Sequence, residues 1–145
     1  MIDPAGTDGA LWFTESNVNK IGRVTLAAAF SEFTIPTAAS RPMAITVGSG
    51  GALRFTEVAS NKIGRVTTTG SFHEYPADTH FGPDGIAAGA DRALWFTAYD
   101  DQPNDTSYAG MPSTLRRITT SGVLTGFPLP LGGYEGPWPW GIVRG

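Results

Sequence analysis

Large and small or polar side chains alternate along this chain in short runs. Leu11 and Phe13, and then Phe30 and Glu32, fall on every second position, which is the period of a strand and not of a helix. The runs are separated by glycine, proline and asparagine, which mark tight turns. The pattern also repeats. Gly9-Ala10-Leu11-Trp12-Phe13-Thr14-Glu15 returns 42 residues on as Gly51-Ala52-Leu53-Arg54-Phe55-Thr56-Glu57, and 41 residues further as Arg92-Ala93-Leu94-Trp95-Phe96-Thr97-Ala98. Asn19-Lys20-Ile21-Gly22-Arg23-Val24-Thr25 returns unchanged as Asn61-Lys62-Ile63-Gly64-Arg65-Val66-Thr67, and in altered form as Thr114-Leu115-Arg116-Arg117-Ile118-Thr119.

Two further runs complete each unit. Phe30-Ser31-Glu32-Phe33 matches Phe72-His73-Glu74-Tyr75 and Leu124-Thr125-Gly126-Phe127. Pro42–Gly48 matches Pro83–Gly89 and Pro139–Gly145. Four short strands in about 42 residues is the blade period of a β-propeller. The 145 residues are therefore expected to form one all-β domain of three four-stranded blade equivalents, near residues 9–48, 51–89 and 92–145. The third unit carries an insertion at 99–113.

By this count the chain opens on the second strand of a blade and closes on an inner strand, Pro139–Val143. Met1–Gly6 lies at the first unit's inner position, but Asp3 and Pro4 make it a poor strand, since proline has no ladder donor. Three blades are fewer than the usual four to eight. The expectation is a homodimer in which the last strand of one protomer completes the first blade of the other, giving a six-bladed ring by strand exchange. The alternative is a fragment of a longer propeller.

Composition narrows the chemistry. Gly 19 and Pro 11 are spread along the whole length, which argues against a helical bundle. Ten Lys+Arg against 13 Asp+Glu give a net charge of −3 and no basic footprint for nucleic acid. No apolar run approaches the roughly 18 residues that span a bilayer, and Met1–Ala10 has no signal-peptide pattern, so no membrane partner and a cytoplasmic location are expected. The absence of cysteine removes thiolate metal sites and thiol nucleophiles. No Gly-x-Ser-x-Gly elbow is present.

The signature Gly82-Pro83-Asp84-Gly85, Ala10–Glu15, Asn61–Thr67 and Phe72–Pro76 resembles that of the streptogramin lyases, also called virginiamycin B lyases. The resemblance covers nearly the whole chain. It implies a propeller that linearises a cyclic depsipeptide by magnesium-assisted elimination, with a histidine base just before the Gly-Ile of one inner strand. It also implies metal-binding glutamates two residues before that histidine and after the Trp-Phe strand. Here the histidine slots hold Met43, Asp84 and Trp140, and the first glutamate slots hold Arg41, Gly82 and Trp138. Glu15 and Glu57 sit close to the second glutamate slot and are the metal candidates, with magnesium as the implied ion.

An elimination of this kind needs a base near neutral pKa and a cation to hold enolate charge. The imidazoles are His73, at an outer-strand position that reads as solvent-facing, and His80, in the loop Ala77–Gly82 that leads to an inner strand. His80 is the candidate base. Tyr99, Trp138 and Trp140 are candidate ligand-stacking rings, although the aromatics near the end could equally bury the closing strand. Asp100, Asp101 and Asp105 lack calcium-loop spacing and read as a solvated acidic loop. Trp12, Trp95, Phe13, Phe55 and Phe96 recur from blade to blade and read as packing. The function this supports is a streptogramin-lyase-like propeller binding a small ligand on its axial face. A non-catalytic propeller that recognises glycans or peptides is the alternative.

Overall fold

The structure is a computed structural model and describes residues 2–3, 8–79, 82–99, 113–129 and 141–142. It contains twelve strands in three antiparallel sheets, and no helix among the described residues. The first sheet holds β1 (Ile2–Asp3), β2 (Leu11–Glu15), β3 (Lys20–Val24) and β4 (Phe30–Thr34). The second holds β5 (Pro42–Val47), β6 (Leu53–Glu57), β7 (Lys62–Val66) and β8 (Phe72–Pro76). The third holds β9 (Pro83–Ala88), β10 (Leu94–Tyr99), β11 (Ser113–Ile118) and β12 (Leu124–Pro128). Each sheet is a meander in chain order, as the blades of a propeller require.

The first blade differs from the expectation that the chain opens on a second strand. Its inner position is filled, but by two residues only, Ile2 and Asp3, paired with Phe13 and Trp12. β5 and β9 are six residues each. At the other end, Gly141 packs directly on β9: a Cβ on Gly85 would stand 2.9 Å from the Gly141 Cα. The backbone at 141–142 thus lies beside the third blade's inner strand, where the next blade's inner strand belongs. The rest of Pro139–Val143 lies outside the described residues.

The core sits between sheets. Trp12, Ile21 and Ile35 of the first blade meet Leu53, Phe55 and Val66 of the second, with Phe33 and Phe72 at the margin. Ile63 and Ala77 on the second blade's opposite face meet Leu94, Phe96 and Ile118 of the third. Strand alternation explains the division, because Leu53 and Phe55 point to one face of β6 while Arg54 and Thr56 point to the other. Gly22 and Gly64 are required by this packing, as the Phe13 and Phe55 rings lie where a Cβ would stand.

Asn19 and Asn61 explain the recurring Asn-Lys. Both adopt left-handed backbone, with φ of 59° and 56°, which asparagine tolerates in turns. Their side chains tie down the segment that leads to the next inner strand. Asn19 Oδ1 accepts from Ser40 N at 2.9 Å and Ser40 Oγ at 2.8 Å, while its Nδ2 donates to Thr37 O at 2.9 Å. Asn61 binds Thr79 in the same way.

Candidate functional site

The inner strands begin with a bulge. Pro42 pairs with Glu57 and Ile45 with Phe55, so three steps along β5 match two along β6. Pro83 pairs with Ala98 and Ile86 with Phe96, so β9 carries the same extra residue. Bulges re-aim side chains and interrupt the ladder, and they recur beside active sites. Here they fall at Met43–Ala44 and Asp84–Gly85, the positions to which the sequence resemblance assigns a catalytic base.

The threonine of the repeated Phe-Thr supplies the hydrogen bonds that the bulge removes. Thr56 Oγ1 accepts from Ala44 N of its own blade at 3.0 Å and donates to Asp84 O of the next at 2.8 Å. Thr97 Oγ1 accepts from Gly85 N at 2.9 Å. Thr14 Oγ1 donates to Met43 O at 2.7 Å, and Ser16 Oγ donates to Pro42 O. A threonine hydroxyl, half-buried at Thr14 and buried at Thr56, thus holds the backbone of Met43 and of Asp84 from the preceding blade, which fixes where each side chain starts.

Two ionisable groups occupy this end. Asp84 is half-buried, and burial pushes its carboxyl above the ordinary aspartate range while the Arg41 charge pulls it back down. Arg41 is exposed and left-handed, with a φ of 55°. Its carbonyl accepts from Val58 N at 3.2 Å, which anchors the backbone at that corner. Nothing along the sequence points to the Arg41 charge acting on Asp84, because the two belong to different repeats.

Glu57 lies between the first two blades. It is 0 % exposed, and burial, reinforced by the Glu74 charge, pushes its carboxyl up to about 7. Ser60 Oγ donates to its Oε2 at 3.0 Å, and Oε1 has no partner. Glu74 is shifted the other way. Burial raises it, but bonds from Thr37 and Lys62, the Lys62 charge and the contact with Glu57 together bring it below the usual range. Lys62 Nζ lies 3.3 Å from Glu74 Oε2 and donates to Thr37 Oγ1 at 2.7 Å. Burial and the Glu74 charge thus both favour the protonated form of Glu57.

The described residues do not fit magnesium. Gly82, in one first glutamate slot, has a φ of +87° and faces the Val58 carbonyl with no room for a side chain. Arg41, in another, is cationic. Among the described residues no group of three acidic or histidine side chains could hold a metal ion, and Glu15 and Glu57 lie in different blades. A hard cation needs several oxygen ligands together. Glu57 instead shares its surroundings with the Lys62 ammonium.

The remaining candidates fall as follows. His73 is exposed on β8 and stands against Tyr75, with ring centroids 4.4 Å apart. Tyr99 ends β10 opposite Ser113. His80, Trp138, Trp140 and residues 100–112 of the insertion lie outside the described residues.

Three meander sheets packed side by side, two of them with a threonine-held bulge at the start of the inner strand, have the architecture of propeller blades. The sequence pattern of the Virginiamycin B lyase family matches residues 3–145, and the chain belongs to that family. It is similar to selenomethionine-substituted virginiamycin B lyase from Staphylococcus aureus, with 39% identity and a TM-score of 0.81 over 99% of this chain and 44% of that one. It is also similar to a catalytically inactive virginiamycin B lyase variant from Staphylococcus aureus with quinupristin (32% identity, TM-score 0.63, 89% of this chain and 55% of that one). A streptogramin B lyase structure matches at 30% identity and a TM-score of 0.59, over 86% of this chain and 53% of that one. The chain thus spans about half the length of these structures. No curated protein matches it at a significant level.

Proposed function

We propose that this streptogramin-lyase-like propeller binds a small cyclic or polar ligand at its axial end, against Asp84 and Arg41, without the family's elimination chemistry there. The observation that carries the reading is the Asp84 bulge. A half-buried carboxyl, acted on by a guanidinium and fixed in place by Thr56, replaces the imidazole that the resemblance implies. Such a carboxyl is suited to orienting a ligand's N–H or O–H groups. At this slot the imidazole, the side chain whose ordinary pKa lies near neutral, is absent. Tyr99, Trp138 and Trp140 are the aromatic surfaces proposed to close over the ligand, with His80 the imidazole nearest in sequence to Asp84.

We propose also that a second copy of the chain completes the ring, because the first blade's outward face carries the same apolar positions that are buried at the boundary between the first two blades.

Quinupristin is the ligand named for one of the similar structures, and it is the probe for this reading. Titration by calorimetry, with and without magnesium, is expected to show saturable binding. Asp84→Asn and Arg41→Ala are each expected to weaken it roughly tenfold, the loss of one charged hydrogen bond. Chromatography of the mixture is expected to recover intact quinupristin. Absence of binding would overturn the ligand assignment, and a ring-opened product would overturn the non-catalytic one.

A further inference from the structure

At the opposite end of the blades, a motif recurs with one exception. In the first blade Asp8 accepts from Trp12 Nε1 at 3.1 Å and from Arg23 Nε at 2.6 Å, Arg23 lies 5.8 Å from the Trp12 ring, and Trp12 stacks on Phe33 at 5.5 Å. In the third blade Asp91, Trp95, Arg117 and Phe127 repeat every part: 3.4 Å, 2.7 Å, 6.0 Å and 5.4 Å. In the second blade the tryptophan position holds Arg54 and the aspartate position holds Gly50. Arg65, the counterpart of Arg23 and Arg117, pairs across the strands with Arg54. Two guanidiniums thus stand where the sister blades have an indole and a neutralised arginine. Among the described residues, no carboxylate pairs with either.

Arg54 is 7% exposed, and its Nη1 is buried with no hydrogen-bond partner. It lines a cleft between the second and third blades, together with Ser49, Tyr75, Arg92, Thr119 and Thr120, over an apolar floor that includes Ile63. Among the described residues, no carboxylate lines this cleft. A guanidinium does not deprotonate in a protein, so burial cannot be relieved by losing the charge. A buried charge without a counter-charge is strongly destabilising. Burial and then the neighbouring Arg65 both act against the Arg54 charge, consistent with a missing anion. The Ser49 and Thr120 hydroxyls and Arg92 at the rim supply further donors of the kind that oxyanions accept, while Thr119 Oγ1 is engaged with Ser121 Oγ and Val123 N.

We propose that this cleft is an anion site, in which Arg54 with Arg92 and the rim hydroxyls holds an oxyanion, either a free phosphate or sulfate or the carboxylate of a larger ligand. It faces away from the Asp84 end and does not depend on the ligand proposed there.

The test titrates inorganic phosphate, sulfate and acetate separately against the whole chain at constant ionic strength, following the melting temperature and the heat of binding. Phosphate or sulfate at about ten times its dissociation constant is expected to raise Tm by roughly 5 °C, saturably. A response to acetate alone would assign the site to a ligand carboxylate. Arg54→Met keeps the side chain's bulk and removes the charge, and Arg54→Trp restores the residue of the sister blades. Both are expected to abolish the saturable shift while melting no lower than the parent in anion-free buffer. An equal shift in parent and variants, no saturable response to any of the three anions, or a variant that melts well below the parent without anion would each overturn the proposal. The last result would make Arg54 a structural cation already satisfied within the protein.

Discussion

The first and second blades share the same strand residues but differ in what covers them. Leu-x-Phe-Thr-Glu and Lys-Ile-Gly-Arg-Val stand in identical register in both, at Leu11–Glu15 with Lys20–Val24 and at Leu53–Glu57 with Lys62–Val66. In the second blade Leu53, Phe55, Glu57 and Val66 are each 0 % exposed. In the first, Leu11, Phe13, Glu15 and Val24 are only half-buried, and Phe30 is 70 % exposed. The second blade's face is covered by the first. The first blade's corresponding face has no neighbour among the described residues. Alternation within a strand decides which residues share a face, and the adjacent blade decides whether that face is core.

The largest effect should come from cutting the same ring on the two faces. Phe55→Ala removes a fully buried aromatic that fits over Gly64, at about 3–5 kcal/mol. Phe13→Ala is expected to cost less than half of that if the first blade's face stays open in solution. Denaturant unfolding of the two variants, under conditions where the chain is monomeric, measures the difference. Equal losses would mean that the first blade's face is covered as completely as the second's.

Glu57 gives the next test. Its folded carboxyl titrates near pH 7, against an ordinary value of 4.5, so between these values the folded state holds a proton that the unfolded state has released. Its contribution is full below about pH 4.5 and is lost as pH rises through about 7, on the order of 2–3 kcal/mol. Glu74, shifted below the usual range, acts with the opposite sign, contributing stability that is lost only at more acidic pH. Unfolding midpoints at about pH 5 and about pH 8 are expected to favour the lower pH, and Glu57→Gln should flatten the difference. A parent profile that rises between those pH values would sink this assignment of the proton.

The strand positions were legible because they repeat with a period of two and are punctuated by turn residues, so β2 to β12 stand where the repeat places them, while the two-residue β1 fills an inner position that Asp3 and Pro4 argued against. The bulges at Met43–Ala44 and Asp84–Gly85 were not legible. One extra residue in an inner strand leaves no trace in alternation, and the compensating threonines looked like ordinary strand residues. Glu15 and Glu57 read alike because they are equivalent in sequence. Their surroundings differ through contacts with a neighbouring blade, which no window along one strand contains. The Asn-Lys turns carried a signal that was read only as punctuation, whereas the side chains of Asn19 and Asn61 also fasten the approach to each inner strand.

The smallest effect on folding, and the sharpest on the comparison, should come from Phe30. At 70 % exposure its replacement by glutamate is expected to change the monomer's stability by less than about 0.5 kcal/mol. Phe72, its counterpart, is half-buried and packs against the core between the first two blades, so Phe72→Glu would place a charge against that core. If a second copy completes the ring, Phe30 takes up the environment of Phe72 and the glutamate becomes intolerable there. Light scattering on a sizing column should then report twice the 15.3 kDa mass for the parent and a single mass for Phe30→Glu, with the folded signal retained. A parent that runs as a monomer would refute completion by a second copy. A dimeric Phe30→Glu would place the contact elsewhere, because a charge opposite an apolar sheet face cannot be accommodated without the cost that closure was meant to remove.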